Sequence, residues 1–582
     1  MARFDMVIKN GTIIDGSGEP MYDADVGIAK GKIAEIGRLG GAAADKTIDA
    51  TGLYVTPGFI DCHAHSDWTI LVHPTGDSKI LQGVTTDLSG LCGYAAAPIR
   101  TEEWYKLLYV RMTVGWSMHY TAAAYNWWPL PYGREVEVNW SSMGEYLDRV
   151  EETGIGINYG MLFGHGAIRY WTMGLEARQS TEDELNMMKD MAEQAMEDGA
   201  FGMSAGLTGC PGCWASTAEL VELCKVVARY NGVYMPHQRR GDPVISGGAV
   251  PVKETIKIAE KADVRTVCSH TRIDSNVLQF LEDARSRGID ITFDMYSYPG
   301  SIAGNIVYML PHWLTRHREA GFDFIIDQLR RPEVRERFKT KDYPEWIATT
   351  RSIPGTVEYK PEPGEWSIPP WEYMQLQKVW TTKNKKYIGK TFQEIADIRG
   401  VDPWTAWFDI ICDEGGYARW LHILGTGNVD DMYNPQFEAG LKVPYGCIES
   451  DSPICSPRGV TVTSADPRSY GTFPLVFSEY VRKRKVISWE GAIQQMTSNP
   501  AQTMGLRDRG LLRRGYWADV CVLNPKTVTH RATFKNALEL SQGINHNLYP
   551  EGIEYTIVNG VIVNERGLIT GARPGKVLRN AA

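Results

Sequence analysis

Residues 58–67 read GFIDCHAHSD, an apolar run that ends in two histidines one residue apart, with an acid on either side. Alternate residues of a strand share a face, so on a strand His63 and His65 aim the same way. Short apolar runs with polar or ligand-type tips recur downstream: GVTTDLSGLCG, NYGMLFGHG, GAFGMSAG, GVYMPHQR, RTVCSHTR, DITFDMYSY and YGCIESD. Between some of them lie long amphipathic stretches such as TEDELNMMKDMAEQAMEDG and STAELVELCKVVARYNG. Strands alternating with helices predict βαβ units and a parallel sheet. Eight such strands with reactive tips predict an α/β protein built on a distorted (β/α)8 TIM barrel. In that fold, active sites form where strand C-termini meet the following loops.

The two ends of the chain have a different texture. FDMVIKNGTIIDGSG and DVGIAKGKIAEIG near the start, and ADVCVLNP and GIEYTIVNGVIVNERG near the end, are short β-rich runs. Their NG, KG and TG pairs suit hairpin or loop turns. Residues 1–56 and 506–582 are therefore expected to build one small β-sandwich, with the barrel spanning 57–505. Two Trp-rich stretches exceed simple connections: 102–140, with Trp104, Trp116, Trp127, Trp128 and Trp140, and 302–399, with Trp346, Trp366, Trp371 and Trp380. They suit lids over an apolar substrate or a subunit interface in a homo-oligomer.

Composition excludes several classes. The 582 residues are 43% hydrophobic and 23% charged, with a net charge of −9 that argues against nucleic acid as a partner. The opening MARFDMVIKNG lacks the apolar core of a signal peptide, and no run approaches the ~18 apolar residues of a membrane span. The expectation is a cytoplasmic enzyme acting on a small molecule. Its ten cysteines read as reduced core residues with one exception.

That exception is Cys92. With His63, His65, His237, His270 and Asp451 it makes a set of ligand types clustered at strand ends. Nitrogen, thiolate and carboxylate together suit Zn²⁺ or another first-row metal. Six donors exceed one tetrahedral ion and suffice for one or two ions sharing a bridging group. A bound metal lowers the pKa of water from 15.7 to about 7 and supplies hydroxide at neutral pH. Asp451 is placed to take the water's proton and pass it to a departing nitrogen. His165, at the tip of the third run, reads as hydrogen-bonded structure.

Taken together, PGFIDCHAHSD, ILQGVTTDLSGLCG, GHGAIR, GMSAGL, SHTR, DPRSYGTFP and MTSNPAQTMGLRDRGLLRRGYWADVCVLNP resemble the amidohydrolase superfamily, and within it the N-acyl-D-amino-acid deacylase (D-aminoacylase) branch. The resemblance covers nearly the whole chain apart from the Trp-rich stretches. It implies that His63, His65, Cys92, His237, His270 and Asp451 are the metal ligands, with Cys92 replacing the carboxylated lysine of other relatives. It implies that Asp451 also shuttles the proton. It further implies that Arg468 and Arg272 bind a substrate carboxylate and that Tyr296 contacts the substrate near the reacting carbonyl. The chain departs from the branch at Gly209, where a tyrosine is usual, at Leu91, where asparagine is usual, and in the spacing from Tyr296 to Ser301.

The expected activity is hydrolysis of the amide bond of an N-acyl amino acid by a metal-bound hydroxide. The resemblance points to D configuration, and the aromatic stretches to a bulky apolar group. Two rivals stay open at this point: hydrolysis of a cyclic amide or imide, or deamination of a heterocycle, by the same site, and a scaffold relative without catalysis. The complete ligand set weighs against the scaffold.

Overall fold

The computed structural model describes residues 3–100, 136–209, 211–239, 249–271, 273–304, 321–351, 371–416, 418–423, 432–456, 466–541, 544 and 546–580. The chain begins with five strands: β1 (Arg3–Ile13), β2 (Tyr22–Ala29), β3 (Lys32–Gly37), β4 (Ala43–Asp49) and β5 (Tyr54–Pro57). β1 pairs antiparallel with β2 and parallel with both β4 and β5. The KG pair makes the expected tight turn, with Lys30 and Gly31 both at positive φ between β2 and β3. The first NG pair does not make a turn. Asn10 and Gly11 lie inside β1, where the register with β2 shifts, so the extra residue is absorbed as a bulge.

Eight parallel strand positions follow, and all fall within the runs read from the sequence. They are β6 (Phe59–Asp61), β7 (Val84–Ser89), β8 (Asn158–Met161) with its continuation β9 (Phe163–Gly164), β10 (Gly202–Gly206), β11 (Val233–His237), β12 (Arg265–Cys268), β13 (Ile291–Met295) and, after an insertion, β17 (Cys447–Ile448). β6, β7 and β8 form one ladder; β9 through β13 and then β17 form another. A parallel bridge between Ala64 and Ser452 brings the last strand beside the first. Because every pairing is parallel, the C-terminal tips lie at one end. These strands are buried on both faces, as their near-continuous apolar runs require.

The insertion carries β14 (Gly300–Gly304), β15 (Met374–Lys378) and β16 (Arg419–Ile423), an antiparallel sheet in the order β14-β16-β15. It has its own core. Trp371, Trp404, Trp407 and Trp420 are all buried there with Phe338, Phe392 and Phe408. Trp371 meets Trp404 edge-on at 5.0 Å, and Trp404 stacks on Phe408 at 5.7 Å. Trp371, one of the rings expected to form a lid or interface, is thus enclosed within the insertion. Trp366 lies outside the described residues, as does the side chain of Trp346. Of the first Trp-rich stretch, residues 101–135 lie outside the described residues. Its last ring, Trp140, is buried against Trp68 and donates Nε1–H to Ala96 O at 2.8 Å.

The chain ends in β18 (Val520–Leu523), β19 (Ile553–Val558), β20 (Val561–Glu565) and β21 (Leu568–Ile569). β18 pairs antiparallel with β5, so both termini join in one nine-stranded mixed sheet. Ile8, Val26, Ile28 and Val55 from one end bury against Val520, Val522 and Ile557 from the other. Each such side chain contributes about 1.5–3 kcal/mol on burial. Among the described residues, no helix is long and apolar enough to cross a membrane.

Candidate metal centre

The sequence reading placed the HxH pair on a strand. β6 ends at Asp61, and His63 and His65 stand just beyond it, with Ala64 bridged to Ser452. Cys92, His270 and Asp451 likewise sit a few residues past β7, β12 and β17; His237 alone closes its strand. The loops bend sharply there. Cys92, His270 and Asp451 hold φ of +54°, +34° and +44°, a left-handed conformation that costs a non-glycine residue on the order of 1–3 kcal/mol. Specific hydrogen bonds hold these turns. Asp451 N donates to His63 O at 3.0 Å, and His270 N donates to Asp294 Oδ1. Gly90 N donates to Asp67 Oδ1, and Gly93 N to Ser204 Oγ, both at 3.0 Å.

All six expected ligands meet. Cys92 Sγ lies 3.4 Å from His63 Nε2, 3.4 Å from His237 Nδ1 and 3.6 Å from His270 Nε2. Asp451 Oδ1 lies 3.0 Å from His65 Nε2 and 3.6 Å from His63 Nε2. The thiol and the carboxylate are thus two hubs that share His63. Donor atoms this close, of mixed N, S and O type, fit a zinc centre. His65 Nδ1, on the far side of the ring from Asp451, is buried and has no hydrogen-bond partner among the described residues.

Electrostatics follow from burial and neighbours. Burial pushes the Cys92 thiol well above its ordinary value, with Asp451 and Asp294 adding to the effect. Burial holds His270 down at about 4, so its imidazole is neutral at pH 7. Burial opposes a charged His63, but Asp294 outweighs it and holds the ring above the usual imidazole value. Burial would raise Asp451, yet Arg468 and then His65 hold its carboxyl well below the carboxylate range.

Asp294, on β13, was not singled out in the sequence. Its Oδ2 lies 3.1 Å from His63 Nδ1 while Oδ1 accepts from His270 N. A carboxylate can only accept, so Nδ1 of His63 carries a proton and Nε2 is the nitrogen that faces the centre. The signal for Asp294 was an acid inside the apolar run ITFDM. Glu449 was missed as well. It is fully buried, both its oxygens lack a hydrogen-bond partner among the described residues, and burial and then Asp294 raise its pKa well above normal.

Arg468 and Tyr296 stand at the same site. The guanidinium lies 4.5 Å from the Tyr296 ring centroid and donates from Nη1 to Asp451 Oδ2 at 2.7 Å and from Nε to Asp466 Oδ2 at 3.2 Å. Arg468 therefore engages two aspartates of the chain itself. Arg272 lies outside the described residues, as does the side chain of Ser301. His165 opens a helix and bonds Glu219 Oε1 through Nε2 at 2.8 Å, a structural contact. The Tyr94 hydroxyl stands 3.0 Å from where a Cβ at Gly209 would be, so a side chain at 209 would press on this ring. Leu91 packs in the core between the strands.

The amidohydrolase family model matches residues 46–207 and 388–564. The chain is 28% identical to a D-aminoacylase of Alcaligenes xylosoxydans xylosoxydans over 589 residues, covering 100% of this chain and 98% of that one. It is 27% identical to the solved N-acyl-D-glutamate deacylase of Bordetella bronchiseptica, with a TM-score of 0.72 and coverage of 99% and 100%. That enzyme was solved with zinc and a phosphonate inhibitor that mimics the tetrahedral intermediate. A solved D-aminoacylase, described as having a binuclear metal centre with one-metal activation and second-metal attenuation, is 25% identical with a TM-score of 0.70 and the same coverage.

Proposed function

The chain belongs to the amidohydrolase family, and from that premise we propose that it hydrolyses the amide bond of an N-acyl amino acid of D configuration. The observation that carries the reading is the meeting of Cys92 Sγ with three imidazoles at 3.4–3.6 Å, beside an ionised Asp451. His63, His65, Cys92, His237, His270 and Asp451 would hold one or two zinc ions. When bound, zinc supplies Lewis acidity that polarises the carbonyl and acidifies water.

The chain's own residues do the rest. Asp451 accepts a proton at its carboxylate as a water oxygen bonds to the carbonyl carbon. It then gives that proton to the amide nitrogen as the C–N bond breaks, leaving a carboxylate and a free amine. Arg468, on the other Asp451 oxygen, keeps the carboxyl ionised between turnovers. Tyr296 and Arg468 border the place where substrate would lie, and Arg272 completes the proposed carboxylate contact. Asp294 fixes the tautomer of His63.

We read the eight parallel strands as a distorted (β/α)8 barrel spanning 57–505. The bridge of Ala64 to Ser452 supports closure. The sheet from residues 1–56 and 506–582 is read as the β-sandwich. The test is a hydrolysis panel of paired D and L N-acyl amino acids of graded size, with zinc supplied and free amine measured. Turnover confined to D substrates is expected. Cleavage of uncharged cyclic amides with none of the N-acyl amino acids would overturn the reading.

A further inference from the structure

Beneath the six ligands lies a second charge cluster with no access to water. Lys79, on the short helix Asp77–Ile80, is 0% exposed, as are Asp61, Asp87, Ser66, Ser89, Ser450 and Ser452. Lys79 Nζ donates to Asp61 Oδ2 at 2.5 Å, to Ser450 Oγ at 2.7 Å and to Ser452 O at 2.9 Å; Asp87 Oδ2 is 3.6 Å away. Burying an ammonium is strongly unfavourable unless its donors are matched, and here all three have acceptors.

The partners are not scattered. Ser450 and Ser452 are the two neighbours of Asp451. Asp61 lies two residues before His63, and its Oδ1 accepts from Ser450 N at 3.0 Å. Ser66 follows His65; its hydroxyl donates to Asp87 Oδ2 at 2.8 Å and accepts from Ile454 N at 3.1 Å. Asp87 Oδ1 accepts from Ser89 Oγ, at the end of the strand that leads to Cys92, at 2.7 Å. One ammonium thus ties together the segments that carry His63, His65 and Asp451 and, through Asp87, the strand before Cys92.

We propose that Lys79 is a positioning residue for the metal centre: its ammonium clamps the flanks of the ligand loops after the first and last parallel strands and so fixes the spacing of His63, His65 and Asp451. This inference rests on the metal-centre reading. Burial acts against the ammonium, but Asp61 and then Asp87 outweigh it and hold Lys79 above the ordinary lysine value, so the clamp stays charged.

Charge and positioning make opposite forecasts. By charge alone, losing the ammonium leaves two carboxylates in excess and should tighten the hold on a cation. A clamp forecasts weaker binding. The variant Asp61→Asn/Lys79→Met removes one charge of each sign, so it isolates geometry. The experiment measures the zinc dissociation constant by chelator competition, the visible spectrum of the cobalt-substituted protein, kcat and KM, and the melting temperature of the metal-free form.

Zinc affinity should fall at least 10-fold in Asp61→Asn/Lys79→Met, with an altered cobalt spectrum and a loss in kcat larger than any change in KM. Ser450→Ala, which removes one acceptor of Lys79, should show the same direction to a smaller extent and decides the matter if the double variant fails to fold. Zinc affinity and cobalt spectra unchanged from the parent would overturn the clamp, even if the metal-free protein melts lower. A parent protein that takes up no zinc would instead sink the metal-centre reading and the clamp along with it.

Discussion

Asp294 shows how one side chain sets two others. It offers one oxygen to His63 Nδ1 and the other to the backbone of His270, which holds a left-handed conformation. Both neighbours donate, so the position needs two acceptors. Asparagine brings one acceptor and one donor, and one contact must turn repulsive. Asp294→Asn should therefore lower zinc affinity by about 10–100-fold and reduce kcat alongside. Chelator competition would show it, and parent-like affinity would mean that Asp294 positions neither the His63 ring nor the His270 backbone. The six side chains that meet at the site were legible because histidine, cysteine and aspartate are conspicuous at the tips of apolar runs. Asp294, Glu449 and Lys79 were not, since a single charged residue, even the acid inside the apolar run ITFDM, does not reveal its partners. Their meaning depends on partners far along the chain, such as Ser450 for Lys79.

At the scale of elements, the apolar runs located the eight strand positions of the two all-parallel ladders among the described residues, while their ends were overdrawn. The ladder stops before the tips because the ligand loops must turn inward. Helix starts followed local chemistry: Thr181 and Glu184 form the capping box that their spacing suggests. What local pattern could not give was the buried link between helices. Glu219 accepts from His165 Nε2 at 2.8 Å and from Arg169 Nη1 at 2.5 Å. Burial would raise its carboxyl, but His165 and then Arg169 bring it to about 2. An unfolded glutamate titrates near ~4.3. The folded value is the lower one, so this stabilisation is whole above ~4.3 and is lost as pH falls through about 2. It amounts to roughly 3 kcal/mol. The gap in unfolding midpoint between the parent and Glu219→Gln should narrow as pH is lowered from 5 to 2. A gap independent of pH would mean that the carboxylate is not held ionised.

Over the whole molecule, the two ends of the chain are joined. β5 pairs with β18 in one nine-stranded sheet. The β-rich texture of both ends foretold this union. It did not foretell the tail, which runs past β21 and bonds back to the parallel strands. Gly575 N donates to Ile155 O, Leu578 N to Tyr159 O and Asn580 N to Gly199 O, at 2.7–2.9 Å. These contacts lie just before and on β8 and before β10, away from the site at the strand tips. Deleting residues 572–582 should lower the melting temperature by roughly 3–10 °C and leave zinc content unchanged. Calorimetry with metal analysis checks both, and an unaltered melting temperature would mean that the tail is not a strap. The role of the Trp-rich insertion was open to two readings in the sequence, a lid or an interface, since aromatic residues suit both. Contacts of Trp371 with Trp404 and Trp407 place that ring in a core, while Trp380 stays half-buried outside it.

Everything said of function depends on a sulfur and several imidazoles gathering around one ion. X-ray absorption at the zinc edge on the purified protein reads that shell directly. One sulfur at about 2.3 Å with nitrogen or oxygen neighbours at about 2.0–2.2 Å is expected, and the sulfur should vanish in Cys92→Ala. A shell of nitrogen and oxygen alone in the parent protein would contradict the account.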